Sequence, residues 1–146
     1  MDNKEFKLVF GKIAKTHNFR KVFGGWYKES PECLALLELQ KSNFGNYYQP
    51  NIKIFIQGVF GKTYLPDKNL FNNSVGHVNS GVTKDFRNVF DFDAPIDDNL
   101  RVERLREIFD NHIVPFTDKA LSKSVIRALA ASGQIILLPA IKEEFL

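Results

Sequence analysis

The sequence predicts an α+β fold: an antiparallel meander of about five strands, an opening helix, and C-terminal helices packed on one face of the sheet. Three observations predict it. The first 17 residues carry apolar side chains at helical spacing. From Phe19 to Asp93 the runs are aromatic and β-branched, and short Gly, Pro, Asn and Ser clusters separate them. Helical spacing returns from Asp97 onward. Short connections make neighbouring strands antiparallel, because parallel pairs need long crossovers.

The opening segment has Asp2 or Asn3 as a cap and Phe6, Val9, Phe10, Ile13 and His17 as one stripe. Lys4, Lys12 and Lys15 fall on the opposite side, and Asn18 is a stop. "FRKVFGGWYKE" predicts a strand with a bend or bulge at Gly24-Gly25. Ser30-Pro31 marks a turn, "CLALLELQKS" a strand, "NFGN" a turn, and "YYQPNIKIFIQGVF" the next strand. Pro50 belongs near a strand start or on an edge, since it has no N–H for a ladder. Residues 61–76 predict a loop. "HVNSGV" and "RNVFDFD" predict two more short strands. A helix follows from Asp97 or Asp98, with Val102, Leu105, Ile108, Phe109 and Ile113 inward and Pro115 bending or ending it. "SKSVIRALAAS" forms another helix stopped by Gly133, and Pro139 opens a last short one.

Length and composition set bounds. The 146 residues fit one domain, 1–146, with 14 Phe and 44% apolar residues available for a core. One cysteine, Cys33, allows no internal disulfide, and its apolar run suits a buried strand. No apolar run reaches the roughly 18 residues of a membrane span, and the opening residues lack the pattern of a signal peptide. A cytoplasmic location with no membrane partner is the expectation. The net charge of +3 is uneven: residues 1–28 carry seven basic residues against two acidic ones, a net +5. That end can attract nucleic acid or another anion, or it can be the solvated side of a helix, and the second reading is preferred.

Period two along "LELQKSNFGNYYQPNIKIFI" puts Leu37, Leu39, Ile52, Ile54 and Ile56 on one face and Glu38, Gln40, Asn51, Lys53 and Gln57 on the other. The first set is expected to pack under the helices and the second to form a helix-free face, wet or ligand-binding. Candidate binding residues are Gln40, Asn51 and Lys53, with Trp26 or Tyr27 as an aromatic anchor and His77 and Asn79 beside the 61–76 loop. Leu36 and Phe55 share the polar face, so it is mixed.

Catalytic patterns are weak. "GVFGKT" at Gly58–Thr63 ends as a phosphate loop does, but Ile56 stands where the first glycine is needed and Tyr64-Leu65-Pro66 starts no helix. His17, His77 and His112 show no metal-ligand spacing. Asp91, Asp93, Asp97 and Asp98 do not fit a calcium loop, and Asp97 or Asp98 has a simpler role at a helix start. No catalytic residue, metal or cofactor is expected.

The layout resembles the bacterial family called domain of unknown function 4304. The resemblance rests on the opening helix with "NFRKVFGGWYKE", on "LELQKSNFGNYYQPNIKIFI" with Gln40, Lys41, Ser42 and Asn51, and on "SGQIILLPAIKEEF". Two positions depart: the family usually has Gly at Asn18 and often Trp within "VFDFD". The resemblance implies a small bacterial protein without assigned activity, and so no catalytic residues to carry over. Some related small domains are immunity proteins beside toxins. The leading expectation is therefore a non-catalytic interaction domain with a protein partner, a toxin in the immunity case. The alternatives are a ligand-binding protein or enzyme with a pocket between the sheet and residues 61–76, and a weak nucleic-acid binder using the basic N-terminal region.

Overall fold

The structure, a computed structural model, describes residues 1–81 and 84–146. Val82, at the end of the expected strand "HVNSGV", lies outside the described residues. Helix α1 (Asn3–Thr16) is capped by Asp2, whose carboxylate accepts from Glu5 N at 2.8 Å. It buries Phe6, Phe10 and Ile13. Asn18 ends it in the left-handed region (φ 70°), a conformation that glycine adopts without strain and asparagine tolerates.

Five strands follow: β1 (Arg20–Val22), β2 (Gly25–Glu29), β3 (Cys33–Lys41), β4 (Tyr48–Ile56) and β5 (Val78–Gly81). They lie in the order β1-β2-β3-β4-β5 with every pair antiparallel, which is the expected meander. The count of five conceals two corrections. "FRKVFGGWYKE" is a hairpin, not a bent strand. Its turn is Phe23-Gly24 (φ 44° and 79°), and positive φ at both central residues matches the right-handed twist of the flanking strands. "RNVFDFD" is not a strand. Residues 84–86 make a helical turn that runs into α3 (Arg87–Phe90), and only Asp91 makes a β-bridge, to Tyr47. The cause is remote in sequence: Arg101 Nη1 donates to the carbonyls of Asn88, Val89 and Asp91 at 2.7–3.1 Å, holding the end of that turn.

Helix α4 (Asp98–Ile108) is capped by Asp97. It does not stop at Pro115. A π-helical turn (Phe109–Ile113) leads into α5 (Val114–Lys119), with Pro115 in the first turn of α5, where its missing N–H costs least. Helix α6 (Lys123–Ala131) is capped by Ser122, and α7 (Pro139–Phe145) opens on its proline. Among the described residues no helix is long and apolar enough to cross a membrane.

Register divides the core. Leu37 pairs with Ile52 and Trp26, and Ala35 with Ile54 and Lys28. Leu37, Leu39, Ile52, Ile54 and Ile56 are all buried against α1 and the C-terminal helices, as their spacing predicts. The opposite face is not helix-free. Residues 61–76 contain α2 (Lys68–Asn73), capped by Asp67, and its Phe71 packs with Leu34, Leu36, Phe55 and Tyr64 in a second apolar cluster. Gly25 makes room for it: a Cβ there would lie 2.5 Å from Phe71 Cε1.

Candidate functional site

The polar groups on the second sheet face are bonded within the chain, although Gln40 is exposed and Asn51 and Lys53 are half-buried. Lys53 Nζ donates to Phe71 O at 2.8 Å and pairs with Glu38 at 3.2 Å, their side chains only 15% and 19% exposed. Asn51 donates to Gln40 at 3.0 Å across the β3–β4 ladder. Asn79 holds both backbone groups of Gly76, accepting from its N–H and donating to its carbonyl. Asn51, Lys53 and Asn79 do share a shallow hollow of about 290 Å³. It lacks an aromatic anchor, because Trp26 is on the helix side of the sheet, 2% exposed, and Tyr27 packs against the second apolar cluster. The expected surface of Trp26, Gln40, Asn51 and Lys53 is thus not one surface.

His77 lines a pocket of about 480 Å³ between the sheet and residues 60–77, where one was expected. Its chemistry is closed off. Nδ1 accepts from Ile56 N at 2.8 Å, which uses the one lone pair of the neutral ring. The rings of Phe55, Phe60 and Tyr64 stand edge-on around it, and burial holds its pKa down at about 4. A neutral imidazole without a free lone pair cannot take a proton as general base. Burial likewise pushes the Cys33 thiol up to about 11, far from a reactive thiolate. The "GVFGKT" segment makes a short turn at 59–61, and no helix starts directly after Thr63 to cradle phosphate; α2 begins only at Lys68. Among the described residues no three His, Cys, Asp or Glu side chains gather as a metal site.

The N-terminal region, whose excess of positive charge the sequence displays, holds a concavity that the sequence does not show. A groove of about 750 Å³ runs between α1 and the β1–β2 hairpin. Its floor is Leu8, Gly11, Phe19 and Trp26. Its rim is Lys4, Lys7, Lys12, Lys15, Arg20 and Lys21. Positions 4, 7, 8, 11, 12 and 15 are one stripe of a helix, and the hairpin brings Arg20 and Lys21 to the other bank. No carboxylate lines the groove, and none of the six cations makes an ion pair among the described residues. The seventh basic residue of the region, Lys28, is paired with Asp118 at 3.2 Å. Gly11 lets the helix lie on Trp26; a Cβ there would be 3.2 Å from the indole. Leu8 is 63% exposed in the middle of the lysines.

No protein-family model, curated protein or solved structure matches the chain. A concave apolar floor inside one sign of charge focuses potential onto the cavity and raises the local concentration of anions.

Proposed function

We propose that this protein is a non-catalytic binding domain whose working surface is the groove between α1 and the β1–β2 hairpin, and that its partner is anionic. One observation carries the reading: six cations surround an apolar floor with no counter-charge paired to them among the described residues. Like charges crowded on one groove destabilise a free protein, and a binding partner relieves that repulsion. The polar groups of the sheet face, by contrast, already have partners within the fold. An immunity-type role fits this reading if the neutralised protein presents an acidic surface, and it does not fit a basic nuclease. A bacterial, cytoplasmic setting rests on the resemblance to domain of unknown function 4304 and on the sequence pattern alone.

Capture from source-cell extract tests the reading on two surfaces at once. The proteins compared are wild type, Lys7→Glu/Lys12→Glu in the groove and Gln40→Ala/Asn51→Ala on the sheet. The expected partner is acidic, released by salt, kept by the sheet variant and lost by the groove variant. A partner kept by the groove variant and lost by the sheet variant returns the function to the sheet. A second reading, a small apolar ligand beside His77, is favoured by the exposed Phe60, Leu65, Val75 and Leu138 that converge on that pocket. A ligand that raises the thermal midpoint of wild type but not of Phe60→Ser supports it.

A further inference from the structure

The geometry points to an acidic amphipathic helix of a partner protein as the occupant of the α1–hairpin groove. This inference rests on the groove being the binding surface and adds what fills it. Four features choose among anions. The α1 bank extends from Lys4 to Lys15, about 16 Å at 1.5 Å per residue, or three helical turns. A single headgroup meets one or two of these cations, so the rim calls for several anionic groups in a row. The floor is apolar, with Leu8 exposed at its centre, and a purely polar polyanion leaves that surface wet. The faces of the two floor aromatics are covered, Trp26 at 2% and Phe19 at 3% exposure, so there is no platform for stacked nucleobases. Leu8 is the one well-exposed apolar side chain of the floor, whereas a bilayer needs a broad outward apolar face. An apolar stripe flanked by Glu or Asp on one helix meets the floor and both banks together, the helix-in-groove mode of recognition. Trp26 adds a polar handle: its Nε1 lies against Gly11, and among the described residues nothing accepts its N–H.

Trp26 is the one tryptophan of the chain, so its fluorescence reports on the groove floor. The probe is a synthetic Leu/Glu peptide of about 14 residues, four helical turns, with Leu on one face. The comparison ligands are the same residues scrambled to destroy the apolar face, oligo-glutamate, single-stranded oligo-dT, dodecanoate, and phosphatidylglycerol vesicles. The expected result is saturable one-to-one binding of the amphipathic peptide that changes Trp26 emission and weakens with salt. The scrambled peptide and oligo-glutamate are expected to bind about tenfold or more weakly, since they leave the floor unfilled. Lys7→Glu/Lys12→Glu should weaken the peptide by about tenfold or more. Leu8→Asn keeps every charge; it should weaken the amphipathic peptide and leave oligo-glutamate unchanged. Unfolding midpoints of both variants verify that they fold. Equal binding of the scrambled peptide, or tighter binding of oligo-dT, dodecanoate or vesicles through the groove, overturns the helix as occupant while the groove stays the binding surface. No Trp26 response to any anion overturns both.

Discussion

The two concave regions of this protein differ in what their polar groups do. Around His77, several polar side chains are bonded to the chain's own backbone. His77 Nδ1 takes the Ile56 N–H, the Gln57 amide holds both backbone groups of Tyr64, and Asn79 does the same for Gly76. These clasps brace a long connection over the sheet. In the groove beside α1, six cations make no ion pair among the described residues and stand around an apolar floor. Buried polar groups are expensive to leave unmade, so a satisfied network is what a structural region needs. Charges gathered at one sign and left unpaired add nothing to stability. The contrast supports the proposal that the first region holds the fold and the second meets something outside it.

That assignment is open to direct test, beginning where the effect is greatest. If the second sheet face is structural, Phe71→Ala should cost about 3–5 kcal/mol, comparable with Leu37→Ala in the main core at about 2–5 kcal/mol. Urea unfolding measures both; a change below about 0.5 kcal/mol at Phe71 would return that face to solvent.

His77 supplies the next. The folded protein keeps it neutral down to about pH 4, while the unfolded chain takes up the proton near 6.5. Between those values the unfolded state binds more protons, so stability falls as pH falls through the window, by about 3 kcal/mol at its acid end. His77→Gln can still accept from Ile56 N and has no proton to gain. The difference in stability between wild type and this variant should therefore flatten above pH 6.5 and slope below it.

Gly25→Ala comes third. Its Cβ would lie 2.5 Å from Phe71 Cε1 and 2.9 Å from the Leu37 carbonyl oxygen. Overpacking of this kind costs about 1–3 kcal/mol in an unfolding experiment. Smallest is the groove itself. Lys12→Gln should shift stability by less than about 0.5 kcal/mol, in the stabilising direction at low ionic strength, and the gain should vanish near 1 M salt, where the screening length is about 3 Å. A destabilised Lys12→Gln protein would mean that the cation has an internal role.

Sequence reading recovered the fold class, the meander and the register of Leu37 to Ile56 because those follow from local period. It missed what depends on contacts between distant segments. The pattern at Gly24-Gly25 reads as a bend or bulge within one strand, yet the chain makes a hairpin turn at Phe23-Gly24, and a phenylalanine at positive φ gives no local sign of it. The alternation in "RNVFDFD" suggests a strand until the Arg101 guanidinium takes its carbonyls. Trp26 was set beside the polar face because the parity of its strand depends on that same turn; pairing with Leu37 puts it inward. The groove had a legible half. Lys4, Lys7, Leu8, Gly11, Lys12 and Lys15 share a helical stripe that the sequence displays, and the +5 charge of residues 1–28 was noted. Its second bank needs the hairpin to bring Arg20 and Lys21 alongside, and only the folded chain shows that.

The sequential strand order has a kinetic consequence. Strands β1 to β4 are joined through residues 23–24, 30–32 and 42–47, so each new pairing closes a short loop at small entropic cost. Strand β5 must return across residues 57–77 to reach β4. Contacts that close long loops form late and open early. The amide of Ile56 is bonded by His77 at the entry to β5, whereas that of Leu37 lies between β2 and β4. Native-state hydrogen exchange should find Ile56 opening at lower free energy than Leu37, as the last-zipped edge of the sheet peels while its centre remains closed.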